Sequence, residues 1–167
     1  MKPQDVVILL KIILSQDSRW TTVNLAKDLY LSQSEISKSL QRSQMAKLYN
    51  AKQKIVYKNT LFDFLLKGLR YVFPAKIGRI STGVATSISC KVLREKIITD
   101  DNYVWPCIEG NMRGESVQPL YEKVPLAAMK DPLLHEVLAL IDAIRIGRVR
   151  EVELAQELLR QRIFADE

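Results

Sequence analysis

The sequence predicts a mainly α-helical protein with minor β structure. Apolar residues recur at helical spacing over residues 3–15 and again over two segments near the C-terminus. Between these helical stretches the chain is rich in turn-forming residues: four of the six glycines lie within residues 75–130, and four of the six prolines lie within residues 74–125. We therefore expect helices at both ends and short, irregular structure in the middle.

The charge distribution divides the 167 residues into two parts, residues 1–76 and residues 77–167. The first part has 13 Lys and Arg against 5 Asp and Glu, whereas the second has 12 against 14, so the basic excess belongs to the first part. A length of 167 residues is compatible with one domain or two small ones. The asymmetry favours a polyanionic partner for residues 1–76, and an ordinary lysine-rich surface is the alternative.

Composition also bears on the location of the protein. The longest apolar run, Val6–Leu14, is interrupted by Lys11 and is far shorter than the roughly 20 residues that cross a bilayer. Two isolated cysteines, Cys90 and Cys107, do not form a disulfide framework, and they favour a reducing compartment. We expect a cytoplasmic protein without a membrane partner.

Three helices are predicted in the first 45 residues. The first spans residues 3–15 behind Pro3, which is tolerated in a first turn. Thr21 or Thr22 can cap a second helix that runs to about Leu29. The third helix begins at Ser32, where Ser32-Gln33-Ser34-Glu35 matches the capping-box pattern. Two short helices separated by a turn of about three residues form a helix-turn-helix.

The segment Leu25–Leu40 resembles the helix-turn-helix of bacterial winged-helix regulators, notably MarR-like proteins. The resemblance covers about residues 1–73, is specific mainly over residues 25–42, and does not extend to residues 77–167. It implies that residues 1–76 form a winged-helix-like DNA-binding domain. Tyr30 departs from the family pattern, because it stands where the family usually has Gly to supply a left-handed backbone conformation. We expect a slightly different turn at Tyr30.

The third helix is the candidate for contact with DNA bases. If Ile36 and Leu40 are buried, the helical period places a polar set of side chains on the outward face. Gln can bond adenine, Arg and Lys can bond guanine, and Ser can reach a base or a phosphate. An ordinary solvated helix face is the alternative. The predicted base-facing residues are Gln33, Ser34, Ser37, Lys38, Gln41 and Arg42.

The segment that follows the third helix is short and basic. Only Ile55–Tyr57 has strand character within Asn50–Asn59, so we expect either a truncated wing or a plain basic loop. Contacts with phosphates position a protein on DNA without carrying sequence information. The predicted phosphate contacts are Thr21, Thr22, Lys47, Lys52, Lys54 and Lys58.

A fourth helix is predicted over residues 60–73, with Thr60 and Asp63 as its cap and Pro74 after its end. It is apolar on most sides, which fits core packing or, alternatively, a junction between the halves or a dimer seam.

The second half offers fewer patterns. Short strands are predicted at Ile88–Leu93 and Tyr103–Trp105, and a turn at Asn111–Gly114. The glycines of Gly78–Gly83 lack the Gly-Lys-Ser/Thr ending of a phosphate-binding loop. Asp131-Pro132 opens a helix that Gly147 is expected to end in a left-handed cap, and a last helix follows over about residues 149–163.

The residue types do not favour an enzyme. His135 is the sole histidine and lies beside an apolar helical stripe, which favours a packed or partly exposed side chain over a ligand. The known nucleophile and metalloprotease motifs are absent from the sequence. We therefore expect no catalytic residues, no metal and no cofactor.

These observations lead to two hypotheses about function. The first is sequence-specific binding of double-stranded DNA by a transcriptional regulator, expected to be a repressor, that acts as a homodimer. In this case residues 77–167 serve in dimerisation or in binding an effector. The alternative is a protein-interaction module, such as an antitoxin that binds a partner toxin through residues 77–167 and regulates its own operon. An exposed apolar patch on residues 77–167 would favour the alternative, whereas a closed apolar pocket would favour a ligand-sensing repressor.

Overall fold

A computed structural model describes residues 1–15 and 20–165. Helices predominate and the strands form two small sheets, so the prediction of a mainly α protein with minor β structure is confirmed. The elements of the first half are α1 (Pro3–Leu14), α2 (Thr22–Leu29), α3 (Gln33–Met45), β1 (Tyr49–Asn50), β2 (Ile55–Val56), α4 (Lys58–Lys67) and α5 (Leu69–Val72).

Helices α2 and α3 form the predicted helix-turn-helix. Thr21 Oγ1 accepts a hydrogen bond from the Asn24 amide at 3.1 Å, and Ser32 Oγ accepts one from the Glu35 amide at 3.1 Å. Both predicted N-caps are thereby confirmed. The expectation of a different turn at Tyr30 is wrong, because Tyr30 itself adopts the left-handed conformation, with φ 53° and ψ 39°.

A two-stranded hairpin follows α3. β1 and β2 are antiparallel, with Tyr49 opposite Val56 and Asn50 opposite Ile55, so this is a truncated wing rather than a plain loop. The Asn50 carboxamide oxygen accepts hydrogen bonds from two backbone amides of the wing tip, those of Lys52 and Gln53. Such local bonding holds a tight turn with few residues.

The fourth helix differs from its prediction at both ends. α4 begins at Lys58, with Tyr57 as N-cap, so the prediction that Thr60 caps it is wrong. The chain leaves β2 only two residues earlier, and the helix therefore starts as soon as the hairpin ends. Gly68 separates α4 from the short helix α5, so residues 60–73 are not one continuous helix.

The second half contains more strand than predicted. Its elements are β3 (Ile77–Ala85), a 3-10 turn (Ser87–Ser89), α6 (Lys91–Arg94), β4 (Tyr103–Pro106), β5 (Met112–Val117), α7 (Val124–Lys130), α8 (Pro132–Ile146) and α9 (Val149–Ile163). The strand predicted at residues 103–105 is confirmed. The strand predicted at residues 88–93 is wrong, since the 3-10 turn and α6 occupy that stretch. Residues 78–83, for which no strand is predicted, lie within β3, and residues 111–114, predicted as a turn, lie largely within β5.

Strands β3, β4 and β5 form a small sheet that closes on itself. β3 is antiparallel to both other strands, and β4 and β5 pair in parallel at Tyr103–Glu115 and Val104–Ser116. The closure requires a very close backbone approach, because a Cβ on Gly110 would lie 2.0 Å from the carbonyl carbon of Gly83. Only a glycine fits at that position.

The terminal helix pair agrees with the sequence except at one cap. Asp131 Oδ1 accepts a hydrogen bond from the Leu134 amide at 3.0 Å, which confirms the N-cap of α8. Gly147 has φ −70° and ψ 160°, so the predicted left-handed cap is wrong. The chain instead passes through extended backbone directly into α9.

One hydrophobic core joins the two halves. It includes residues from α1 to α9, and every residue from Val137 to Arg145 of α8 is buried. The buried carboxylate of Asp142 accepts hydrogen bonds from Thr86 Oγ1 at 2.8 Å, Trp105 Nε1 at 2.6 Å and Arg145 at 2.7 Å. Arg145 also donates to the Phe73 carbonyl at 2.9 Å. Residues 1–76 and residues 77–167 therefore differ in secondary structure but pack into the same hydrophobic core.

Polar contacts fix the helix-turn-helix against the second half. Lys11 Nζ lies 2.8 Å from Asp131 and 3.4 Å from Asp28, so it links α1, α2 and the start of α8. The Tyr121 hydroxyl donates to the Leu29 carbonyl at 2.8 Å. Within residues 1–15 and 20–165, no helix combines the length and the apolar character needed to span a membrane.

Candidate nucleic-acid interface

The outer face of α3 is polar and open to solvent. Its inner face is buried through Ile36, Ser39 and Ser43, and this fixes which side chains point outward. Five of the six predicted base-facing residues are exposed: Gln33, Ser34, Ser37, Lys38 and Gln41. These side chains offer amide, hydroxyl and ammonium donors at the spacing of adjacent helical turns.

Arg42 is the exception, and the prediction that it faces bases is corrected by its contacts. Its guanidinium donates to both carboxylate oxygens of Asp5, at 2.9 Å from Nε and 2.6 Å from Nη2. The same Nη2 donates to Glu35 Oε1 at 2.8 Å. Its side chain is 24% exposed, and its donors point toward α1. Arg42 thus holds α3 against α1 instead of projecting from α3.

Arg42 stabilises the charged forms of the two carboxylates that it contacts, those of Asp5 and Glu35. Burial disfavours the charged form of Asp5, but hydrogen bonds from Arg42 and from the Lys2 amide outweigh it, so the pKa of Asp5 lies below its ordinary value. The hydrogen bond from Arg42 also lowers the pKa of Glu35. Sequence reasoning missed Asp5, because an acid in the first turn of a helix ordinarily complements the helix N-terminus and gives no sign of a distant cationic partner.

The predicted phosphate contacts occupy different environments. Lys47, Lys52 and Lys54 are exposed, at the turn after α3 and at the wing tip. Lys54 Nζ lies 5.9 Å from the centre of the Trp20 ring, which holds the wing tip near the start of α2. Thr21 is exposed with its hydroxyl oxygen in the cap of α2. Thr22 and Lys58, the first residues of α2 and α4, are partly buried.

A cavity of about 520 Å³ lies beneath the wing, and we call it the wing cavity. It is bounded by the end of α3, the hairpin and the start of α4. The sequence analysis predicted two lysines of the wing cavity, Lys47 and Lys52, as phosphate contacts. It missed Tyr49 and Tyr57, because no local sequence pattern shows that these tyrosines line the same cavity as the lysines. Its lining residues are Gln44, Lys47, Tyr49, Asn50, Lys52, Tyr57 and Thr60.

The histidine lies away from this interface. His135 Nε2 is 2.6 Å from the Ala85 carbonyl oxygen, and its ring centre is 5.6 Å from that of Trp105. The ring is therefore positioned by β3 and β4 at the edge of the shared core.

Comparison of the chain with protein-family models, with curated proteins and with solved structures gives no significant match. The resemblance of residues 25–42 to MarR-like regulators therefore stays a prediction.

Proposed function

We propose that the protein is a sequence-specific double-stranded DNA-binding transcriptional regulator that acts in the cytoplasm as a homodimeric repressor. The observation that carries the proposal is the exposed polar face of α3 in a helix-turn-helix whose other face is buried. A helix in this setting has the dimensions and the donors needed in the major groove of B-DNA.

Two groups of side chains have distinct roles in this proposal. Gln33, Ser34, Ser37, Lys38 and Gln41 contact base edges, where each good bidentate pair contributes about 1–3 kcal/mol of discrimination. The exposed lysines of the wing contact phosphates and so position α3 without discriminating between sequences. Arg42 contributes indirectly, because its ion pair with Asp5 holds α3 against α1.

The homodimer follows from the small size of one interface. A single short helix contacts few base pairs, and two copies related by a two-fold axis contact two half-sites about one helical turn apart. A dimer bound at a promoter would repress by excluding the polymerase.

The test is a fluorescence anisotropy titration against the upstream DNA of the protein's own gene and a scrambled duplex of equal length, at several salt concentrations. We expect the native duplex to bind at least about a thousandfold more tightly. Lys38→Ala should weaken the native complex selectively, whereas Lys52→Ala should weaken both complexes and reduce the salt slope by about one. Lys96→Ala, an exposed lysine of the second half, is the control. Equal binding of both duplexes by the wild type would contradict base-specific contact.

A second candidate function rests on exposed apolar side chains of the second half. Ile98 and Ile108 are fully exposed, and Ile77 and Ile80 are about half exposed or more. Ile77 pairs with Val117 and Ile80 with Glu115, with a bulge between the two pairs. Such apolar surface favours a protein partner for residues 77–167, as in an antitoxin. Failure to bind either duplex, together with a stable complex with the product of an adjacent gene, would favour this candidate.

A further inference from the structure

The wing cavity has the charge of an anion site. Lys47 lies at the turn after α3 and Lys52 at the wing tip, and both line the same space. Among the described residues that line the cavity there is no carboxylate. Neither ammonium group has an ion-pair partner in the part of the chain that the structure describes. The described residues therefore leave the positive charge of Lys47 and Lys52 without an ion-pair partner.

A buried tyrosine lines the same cavity without a partner for its hydroxyl. Tyr49 is only 4% exposed, yet its hydroxyl makes no hydrogen bond to any residue in 1–15 or 20–165. The hydroxyl oxygen itself is not fully buried, so it reaches the solvent of the cavity and is available to donate to a ligand there. Burial raises the pKa of Tyr49, so the hydroxyl keeps its proton and remains a donor at neutral pH.

Further donors surround the cavity. The Tyr57 hydroxyl accepts a hydrogen bond from the Asn50 carboxamide nitrogen at 3.2 Å, which leaves its own proton free to be donated. Helix α4 begins directly after Tyr57, and no side chain of the described residues caps its N-terminus. The helix dipole at such an end favours negative charge.

We propose that the wing cavity binds a phosphate ester, with Lys47 and Lys52 as counter-ions and the hydroxyls of Tyr49 and Tyr57 as donors. A phosphate monoester carries a charge between about −1.5 and −2 and three acceptor oxygens, and a DNA phosphodiester carries one negative charge and two free acceptor oxygens, so two cations and several donors can serve either. The cavity is larger than a phosphate group and open to solvent, so it also accommodates what the phosphate is attached to. The phosphate belongs either to a DNA backbone or to a small phosphorylated molecule. Only binding of a DNA phosphate rests on the proposed function.

The experiment has two arms with the full-length protein. In the first, inorganic phosphate is titrated at constant ionic strength while amide NMR shifts are recorded. We expect saturable shifts at the cavity in the wild type, and at least about a tenfold weaker affinity in Tyr49→Phe and Lys47→Gln, because each variant removes a charge-assisted hydrogen bond to the phosphate. Lys96→Gln is the matched control and should bind phosphate as the wild type does. Tyr49→Phe keeps the buried ring, and its spectrum reports whether the fold is retained.

The second arm measures duplex DNA affinity and salt slope for the same variants. Loss of phosphate binding together with weaker DNA binding supports a DNA phosphate in the cavity. Loss of phosphate binding with unchanged DNA affinity supports a small phosphorylated ligand. If the wild type binds phosphate at the cavity but binds no DNA, the phosphate site stands and the proposed function fails. Absence of saturable shifts in the wild type, or phosphate affinity unchanged in both variants, overturns the proposal.

Discussion

Replacement of Arg42 by alanine separates a structural role from a role in base contact. Arg42 is the main partner of Asp5, whose side chain is fully buried and also accepts a hydrogen bond from the Lys2 amide. Removal of one partner of a buried pair leaves an uncompensated charge and costs about 3–5 kcal/mol. The Arg42 side chain is 24% exposed, so water can replace part of its interaction with Asp5. We therefore expect a loss of stability at the lower end of this range, about 3 kcal/mol.

The assay is equilibrium unfolding of the wild type, Arg42→Ala and Lys38→Ala. A loss of about 3 kcal/mol corresponds to a lower melting temperature by about 6–12 °C for a chain of this size. Lys38→Ala is the control, because the side chain is exposed on the same helix and its removal should leave stability unchanged. A double variant, Asp5→Ala with Arg42→Ala, should recover part of the loss because it removes the stranded carboxylate.

The pH dependence gives a second check. The pKa of folded Asp5 is depressed, so its contribution to stability is present above its ordinary value of 3.8 and is lost as the pH falls through the folded pKa. In Arg42→Ala the buried, unpaired carboxyl would instead take up a proton readily. The difference in stability between the two proteins should therefore shrink as the pH falls from 7 toward about 4. A melting temperature of Arg42→Ala equal to that of Lys38→Ala at pH 7 would refute the structural role.

Three further substitutions test the fold. Tyr30→Gly should unfold at nearly the same temperature as the wild type, whereas Tyr30→Val should lose about 1–2 kcal/mol in denaturant titration, because the left-handed conformation suits glycine and opposes a β-branched side chain. Asp142→Asn should cost about 3 kcal/mol or more, since it leaves the buried Arg145 without its counter-ion; calorimetry that shows a neutral effect would contradict the network. Gly110→Ala should destabilise the protein or prevent its folding because the added Cβ meets the Gly83 backbone, and circular dichroism of the purified variant measures this.

The elements predicted best from the sequence are those with local signals. Thr21, Ser32 and Asp131 each cap a helix through a hydrogen bond to an amide three residues away, so the pattern of a few adjacent residues suffices. The short wing could also be predicted from the sequence, because the ten residues between two helices leave little room for a full two-stranded wing. The truncated wing and α2–α3 together account for most of the predicted interface.

The elements that were missed depend on distant partners. β3 was not predicted because its pairing with β4 and β5 joins residues 19 to 40 positions apart, and no local periodicity records that pairing. The strand predicted at residues 88–93 failed for the complementary reason: apolar residues such as Ile88 and Leu93 are buried there through a 3-10 turn and a short helix.

The sequence by itself determined the helix ends, the basic first half and the polar set of residues on α3, because caps, charge and helical period are properties of neighbouring residues. Only the tertiary structure decided that Arg42 turns inward to Asp5, a contact between residues 37 positions apart. It also decided that Tyr49 and two lysines share one cavity, since the hairpin and two helix ends must come together to form that space. The physical reason is the same in both cases: the energy of a buried charge or hydroxyl depends on what surrounds it, and those surroundings exist only when the chain is folded.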